Sequence, residues 1–143
     1  MSIDLCLVCN GQILLGKRNN EPLKGTWFTP GGRIYKNESW QNALLRIVGM
    51  ELGLRDIGVG EFSLMGVWDH FYNNSTLDQN TSTHYVNLPH YAELKSKPPI
   101  ALDDQHSEFM WFDLSVVTND EKCHLYMRNY ANWLLNKVGN TDD

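Results

Sequence analysis

Residues 32–54 read GRIYKNESWQNALLRIVGMELGL, a glycine turn that leads into one amphipathic helix. Apolar side chains recur at helical spacing, so the helix is predicted to begin near Asn37 or Ser39 and to end at Gly53. The Pro-Gly-Gly sequence at 30–32 turns the chain sharply and lets its backbone approach a ligand closely. A rigid helix beside a glycine loop can hold a hard cation and phosphate oxygens in fixed register. The stretch therefore predicts a site for a diphosphate and its metal ion.

The spacing of glycine, acid and arginine in this stretch resembles the Nudix box, G-x5-E-x7-R-E-U-x-E-E-x-G-U, where U is a bulky aliphatic residue. The positions that carry the match are Gly32, Glu38, Arg46, Glu51, Gly53 and Leu54. Ile47 and Met50 stand where the box has glutamates, so Glu51 is the one carboxylate that remains at the metal positions. Each missing carboxylate removes an oxygen ligand and a negative charge, so we expect one bound divalent ion instead of a cluster.

Five further segments, LLGKRNNEP, GTWFTPGGR, GVWDHFY, THYV and DDQHSEFMW, resemble the GDP-mannose mannosyl hydrolases, a branch of the Nudix hydrolases. The resemblance spans roughly residues 4–135. It implies an α+β Nudix fold with a mixed sheet between helices, and one Mg²⁺ (or Mn²⁺) per subunit. It also implies that water attacks the anomeric carbon of GDP-mannose, and of GDP-glucose as an alternative, with inversion. Two alternatives stay open: a Nudix pyrophosphatase that cleaves at phosphorus, and a non-catalytic module that binds nucleotide.

The resemblance places the metal on the Glu51 carboxylate and the backbone carbonyl of Gly31. Arg18 and Arg33, in the GKR and GGR segments, match positions that face the diphosphate. Planar guanidinium groups bind phosphate oxygens more directionally than lysine does, so these two are expected to stabilise the departing GDP.

Glu38 and Arg46 lie about two helical turns apart, and the resemblance gives them a mainly structural role, bracing the loop. For Arg46 an additional electrostatic contact with the diphosphate is left open, so it is kept among the catalytic candidates.

His106 is predicted to lie in the polar loop DDQHSE, just before a strand, in the region from which Nudix proteins usually draw their base. An unperturbed imidazole has a pKa suited to taking a proton from water. Asp103 and Asp104 are the competing bases.

Three more residues match family positions near the substrate: Asp4, His70 and Tyr85. Asp4 lies so close to the chain end that its segment is expected to be frayed. His84 alternates to the other strand face from Tyr85 and is expected to be structural.

The 143 residues, 42% of them hydrophobic, suit one domain over 1–143, with a second amphipathic helix at about 121–138. A net charge of −5 without a basic run argues against nucleic acid as a partner. No apolar run approaches the roughly 20 residues of a membrane helix, and no signal peptide is visible, so a cytoplasmic location is expected.

The resemblance implies a small nucleotide sugar as ligand and a homodimer. Members of the branch begin upstream of the first hairpin, so their dimer contact and guanine pocket are expected to differ here.

Other elements follow from local pattern. Apolar runs at 3–9 and 12–16 flank Asn10-Gly11, which predicts a two-residue hairpin turn. Residues 58–71 and 82–94 are predicted as two longer strands, and 109–112 as a short one. The cysteines have no metal-binding spacing and are expected to be buried free thiols: Cys6, Cys9 and Cys123.

Overall fold

The computed structural model describes residues 1–20, 24–72, 82–101 and 106–139. Strands β1 (Ser2–Cys9) and β2 (Gln12–Arg18) form an antiparallel hairpin. Asn10 and Gly11 both have positive φ, 52° and 77°, the backbone of a type I′ turn. The hairpin predicted from Asn10-Gly11 is confirmed.

Strand β1 lies at the centre of the sheet and changes partners along its length. Its first residues pair antiparallel with β4 (Gly31–Arg33), and Ser2 also pairs in parallel with Asn87 of β7 (Thr83–Asn87). Its second half pairs in parallel with β8 (His90–Glu93). Because β1 has neighbours on both sides, its backbone groups are used in ladders from the second residue of the chain onwards.

The other strands extend the sheet from these. On one side, β2 pairs antiparallel with β3 (Trp27–Phe28) and with β9 (His106–Asp113). On the other side, β7 pairs antiparallel with β6 (Trp68–Tyr72), and β8 pairs with β5 (Ser63–Leu64). The described residues thus form a mixed sheet of nine strands.

Helix α1 (Trp40–Leu52) has the boundaries that its sequence predicts. The Ser39 hydroxyl accepts a hydrogen bond from the Asn42 backbone N–H at 3.2 Å, and Gly53 ends the helix in the left-handed conformation at φ 70°. The alternative start at Asn37 is wrong, because that residue has φ 65° and lies in the turn before the helix.

Two hydrophobic cores lie on opposite faces of the sheet. One packs α1 against β1 through Ile3, Leu5, Leu7, Leu44, Ile47 and Val48. The other packs α2 (Leu114–Val117) and α3 (Leu125–Gly139) against the reverse face through Cys6, Ile13, Leu15, Met127, Tyr130 and Leu134. The chain is therefore α+β, with a mixed sheet between helices, as expected. No helix within the described ranges is both long and apolar enough to span a membrane.

Several predicted boundaries are wrong. The strand expected over 58–71 is broken into a 3₁₀ turn (Val59–Glu61), β5 and β6, and Gly66 between the strands has φ 109°.

The strand expected over 82–94 is two strands, β7 and β8, separated by Leu88 and Pro89, since proline has no N–H for a ladder. Strand β9 is longer than 109–112. Helix α3 begins at Leu125, not at 121, and extends to Gly139. All three cysteines are buried free thiols, as predicted.

Candidate active site

Residues 30–32 do not form the sharp turn predicted for them, because Gly31 and Gly32 are extended in strand β4 and pair with β1. This segment, 30–32, which we call the glycine loop, is held tightly against the start of β1. Gly31 is the cross-strand partner of Asp4, and the Leu5 N–H donates to the Pro30 carbonyl at 2.8 Å. A β-carbon on Gly31 would lie 2.5 Å from the Ile3 carbonyl oxygen and 2.6 Å from Asp4 Oδ1. Only glycine fits there, so the residue whose carbonyl the resemblance assigns to a metal packs its backbone directly against β1.

Asp4 is buried beside this loop, with 8% of its surface exposed. Its Oδ2 accepts a hydrogen bond from the Tyr130 hydroxyl at 2.7 Å. Burial raises the pKa of Asp4 to about 6, while the Tyr130 hydrogen bond and the positive charge of Arg18 act in the opposite direction. The expectation that Asp4 is frayed is therefore wrong: β1 is paired on both sides, and α3 contacts the carboxylate directly.

Arg18 and His106, two of the predicted catalytic residues, are cross-strand partners at the end of the β2–β9 ladder. The register shifts at this point, because Lys17 pairs with Glu108 and Arg18 with His106, which leaves Ser107 as an extra residue on β9. Such a bulge is common beside functional sites, where it redirects side chains.

His106 was expected in a loop, and this is wrong: its backbone is the first residue of β9. The ladder with β2 continues through its bulge to this residue, which extends the strand beyond the apolar run. The His106 side chain, and all of Asp103 and Asp104, lie outside what the structure describes.

His70 lies on β6 within a cluster of aromatic rings, which we call the ring cluster: His70, Tyr72, Tyr126 and Tyr130. Its ring stacks on Tyr126 with centroids 4.0 Å apart and planes within 5°, and its centroid lies 5.4 Å from that of Tyr130. Asp4 and Arg18 both act electrostatically on Tyr72, with Asp4 raising its pKa and Arg18 lowering it, while burial has the largest effect. The cluster therefore connects His70 to Asp4 and Arg18.

The His70 imidazole has one hydrogen-bonded nitrogen. Its Nδ1 is 2.5 Å from the Asn87 side-chain nitrogen, whereas its Nε2 is buried and has no hydrogen-bond partner among the described residues. Burial lowers the pKa of His70 to about 4, with a smaller effect of His124 in the same direction and of Asp69 in the opposite one. At neutral pH the ring is therefore uncharged.

Tyr85 is the cross-strand partner of His70, and its ring centroid is 5.8 Å from that of Tyr72. His84, on the other face of β7, is about half exposed, with its Nε2 2.8 Å from Asp69 Oδ1. The hairpin thus separates an inward face near the candidate site from an outward face.

Glu51 lies in the last turn of α1, partly buried, and its Oε2 has no hydrogen-bond partner in the part of the chain that the structure describes. An unpaired buried carboxylate oxygen is costly unless a cation satisfies it, so this atom fits a ligand of a hard divalent ion. The two residues that replace box glutamates, Ile47 and Met50, have no side-chain oxygen with which to bind a hard ion. Ile47 is buried against Gly32, and Met50 is 66% exposed.

Glu38 and Arg46 brace the loop. Arg46 donates through Nε to Glu38 Oε2 at 2.8 Å and through Nη2 to Glu38 Oε1 at 2.9 Å, and Nη2 also reaches the Arg33 carbonyl at 2.7 Å. The Arg46 hydrogen bonds to Glu38, with a backbone hydrogen bond from Tyr35, lower the pKa of Glu38 to about 2. The Arg33 side chain is exposed at the end of β4. That Arg46 and Arg33 contact a diphosphate stays a prediction.

Tyr130 and Asn87 were not singled out by sequence reasoning. Tyr130 has the helical spacing of a core residue, and the structure buries it. A tyrosine at such a position brings a hydroxyl that requires a hydrogen-bond partner, and this is the signal that the sequence offers. Asn87 has no motif around it, and we find no sequence signal for its contact with His70.

Comparison with known proteins agrees with this architecture. The profile of the NUDIX domain matches residues 2–134. The chain belongs to the NUDIX domain family. This membership supports a Nudix hydrolase, and Nudix hydrolases typically use divalent metal ions.

Three relatives show the range of similarity. The low-salt glycan biosynthesis protein Agl8 of Haloferax volcanii is 35% identical over 94% of this chain and 81% of its own length. A MutT NUDIX hydrolase from Burkholderia pseudomallei superposes with a TM-score of 0.72 at 27% identity, over 92% of this chain and 95% of that one. The NUDIX domain of Shewanella oneidensis NrtR, solved with ADP ribose, superposes with a TM-score of 0.73 at 16% identity, over 96% of this chain and 86% of that one.

Proposed function

We propose that this Nudix hydrolase converts GDP-mannose, with GDP-glucose as a related substrate, to GDP and free sugar by attack of water on the anomeric carbon with inversion. The observation that carries the proposal is the state of α1, where Glu51 keeps an unpaired buried oxygen while Ile47 is buried in apolar contact and Met50 lies in solvent. A helix with one metal carboxylate favours a single ion on the diphosphate over a cluster that activates water against phosphorus.

Two relatives support a nucleotide-linked sugar as the ligand class. The Haloferax volcanii relative is named for glycan biosynthesis, and the Shewanella oneidensis NUDIX domain was solved with ADP ribose. The GDP-mannose preference itself comes from the resemblance of the five segments described above.

The metal would be held by the Glu51 carboxylate and the Gly31 carbonyl, since the first is unpaired and the second belongs to a residue that packs its backbone directly against β1. A divalent ion there neutralises diphosphate charge and so makes GDP a better leaving group. Arg18 and Arg33 bind the diphosphate oxygens, where preorganised donors commonly lower a barrier by about 3 kcal/mol. Asp4, beside Gly31, accepts a hydrogen bond from a sugar hydroxyl.

The proton transfer is assigned to His106. One water O–H bond breaks, its oxygen bonds to the anomeric carbon, and its proton moves to an imidazole nitrogen of His106. The bond from that carbon to the β-phosphate oxygen breaks, and the electron pair leaves with GDP. A divalent ion held by Glu51 and Gly31 would offset the charge of the departing diphosphate together with Arg18 and Arg33, so no second group would have to protonate it, unlike in ordinary inverting glycosidases.

Product analysis tests the proposal. The protein is incubated with GDP-mannose and Mg²⁺, with Glu51→Gln as the control for contaminating activity. GDP and mannose, formed by the wild type and lost in the variant, are the expected products. GMP with mannose 1-phosphate would make it a pyrophosphatase, and Mg²⁺-dependent binding without turnover would make it a nucleotide-binding module. The homodimer and the cytoplasmic location stay predictions, to be checked by light scattering and by cell fractionation.

A further inference from the structure

The strongest unused feature of the candidate site is the asymmetric bonding of His70. This side chain is 1% exposed, one of its nitrogens contacts Asn87, and the other is buried without a hydrogen-bond partner among the described residues. A buried polar nitrogen normally finds a partner, so one left unpaired in the protein alone is expected to find it in a ligand.

We propose that Asn87 is a positioning residue that holds the proton of His70 on Nε2 and so makes His70 a hydrogen-bond donor to an oxygen of the bound substrate. The Asn87 amide nitrogen carries two N–H groups and no lone pair for accepting, so it donates to the His70 Nδ1 lone pair. A neutral imidazole has one proton, and with Nδ1 accepting, that proton is on Nε2.

The surroundings of His70 fix the direction of that donor. Its ring is stacked on Tyr126 and meets Phe28 edge-on at 6.2 Å, with planes 82° apart. Asn87 is itself 4% exposed and is the last residue of β7, paired with Trp68 in the same β6–β7 ladder that carries His70, so the contact is formed within one hairpin. A flip of the imidazole would break the hydrogen bond between Nδ1 and Asn87.

The charge of His70 is consistent with this role. Burial and the neighbouring His124 lower the pKa of His70 to about 4, and Asp69 offsets only part of this effect. The donor is therefore a neutral N–H at neutral pH. It lies in the ring cluster that also contains Tyr130, whose hydroxyl donates to Asp4, so an acceptor bound beside Asp4 is the natural partner.

The inference depends on the proposed function only for the name of the substrate. The acceptor is an oxygen lone pair, which a phosphoryl oxygen or a sugar hydroxyl can both supply. The protonation of Nε2 is a property of the protein without ligand, so it can be measured even if GDP-mannose is not the substrate.

The direct test is ¹⁵N NMR of the histidine rings in the wild-type protein at pH 8. Long-range couplings to the two ring protons distinguish Nε2 from Nδ1, and the nitrogen shifts show which one is protonated. We expect a protonated Nε2 and an unprotonated Nδ1 for His70. A bare Nε2 would mean that the amide accepts through its oxygen, and this result overturns the proposal.

Ligand arms identify the acceptor. A change of the Nε2–H signal on adding GDP with Mg²⁺ assigns the oxygen to the diphosphate. A change that appears only with a non-hydrolysable C-glycosidic analogue of GDP-mannose assigns it to the sugar. No change with either ligand overturns the part of the proposal that brings His70 to the substrate.

Two substitutions of similar size separate positioning from packing. Asn87→Asp keeps the shape and a hydrogen bond, but its carboxylate only accepts, so in the neutral ring at pH 8 the proton moves to Nδ1 and Nε2 is left bare. Asn87→Leu removes the hydrogen bond to His70 Nδ1, so the proton can occupy either ring nitrogen. A substrate oxygen can then bind the tautomer that carries the proton on Nε2. We expect kcat/KM to fall by about 10- to 100-fold in Asn87→Asp and by less in Asn87→Leu.

A purely structural role predicts the reverse order, since leucine leaves Nδ1 unpaired. The matched control is Asp69→Asn, which removes the negative charge beside His84 on the outward face of the same hairpin and leaves His70 neutral, because Asp69 raises the pKa of His70. It should stay within about two-fold of wild type, because exposed ion pairs contribute little. If Asn87→Asp does not fold, the ¹⁵N NMR of the wild-type histidine rings, with and without the two ligands, still tests the proposal.

Discussion

The hydroxyl of Tyr130 on the last helix donates to the carboxylate of Asp4 on the first strand at 2.7 Å, across 126 positions of sequence. Both groups are buried, and Asp4 lies directly against Gly31 of the glycine loop. One hydrogen bond thus joins α3 to β1, beside the glycine loop that is proposed to hold the metal. The ring of Tyr130 also lies next to the ring of His70, with centroids 5.4 Å apart.

Tyr130→Phe is expected to lower the free energy of unfolding by about 1.5 to 3 kcal/mol at pH 8, because a buried carboxylate loses its donor. Urea unfolding measures this. Tyr126→Phe is the control, since its hydroxyl bonds the exposed backbone of Phe71, and it should cost about 0.5 to 1.5 kcal/mol. Equal losses in the two variants would show that the hydrogen bond to Asp4 contributes no more to the free energy of unfolding than the exposed bond of Tyr126.

His70 should make the protein less stable as pH falls. The pKa of His70 is 6.5 in the unfolded chain and about 4 in the folded protein. As the pH falls from 6.5 to 4, the unfolded chain therefore binds a proton that the folded protein does not, and the free energy of unfolding decreases. The groups that face the ring from neighbouring elements are Asn87, His124 and Tyr126, with Asp69 beside it on the strand.

The comparison variant is His70→Gln, which cannot take up the proton. Between pH 6.5 and 4 the wild type should lose about 3 kcal/mol of unfolding free energy relative to this variant. Urea unfolding at half-unit pH steps measures the difference. Two parallel pH curves would contradict the depressed pKa.

Glu51→Gln should leave the metal-free protein equally stable or more stable, because the unpaired buried charge is removed. Wild type should gain unfolding free energy from Mg²⁺, about 2.7 kcal/mol at a hundred times the Kd, and the variant should gain none. Thermal unfolding with and without Mg²⁺ measures both effects, with the exposed Glu61→Gln as control. A variant that Mg²⁺ still stabilises fully would remove Glu51 from the metal site.

His106→Ala should reduce kcat by about 10²- to 10⁴-fold with little change in KM, and the pH–rate profile should lose its acidic limb. The control is His84→Ala, an exposed histidine on the outward face of β7. Steady-state kinetics across pH decide. Near-normal turnover with an unchanged profile would transfer the role of base to Asp103 or Asp104.

Local chemistry explains which parts of the fold are predictable from sequence. The Asn10-Gly11 turn and the caps at Ser39 and Gly53 depend on neighbouring residues alone, and all three lie where the pattern indicates. The strand break at Pro89 has a local signal, the missing N–H, which the prediction of one strand over 82–94 did not use.

The candidate site depends on contacts that local patterns do not contain. Asp4 near a chain end gives no indication that Tyr130 covers it, because that contact needs the packing of α3 on the sheet. The pairing of Arg18 with His106 depends on a one-residue bulge in the β2–β9 register, which has no distinct sequence signal.

The bond that breaks is the central claim, and hydrolysis of GDP-mannose in ¹⁸O-water tests it most directly. Attack at carbon places the heavy oxygen on mannose and none on GDP, and the first product is the β-anomer because water enters opposite an α-linked diphosphate. Mass spectrometry of both products, with early NMR of the sugar, gives the answer. Label on GMP or on a sugar phosphate would contradict the account and make the protein a Nudix pyrophosphatase.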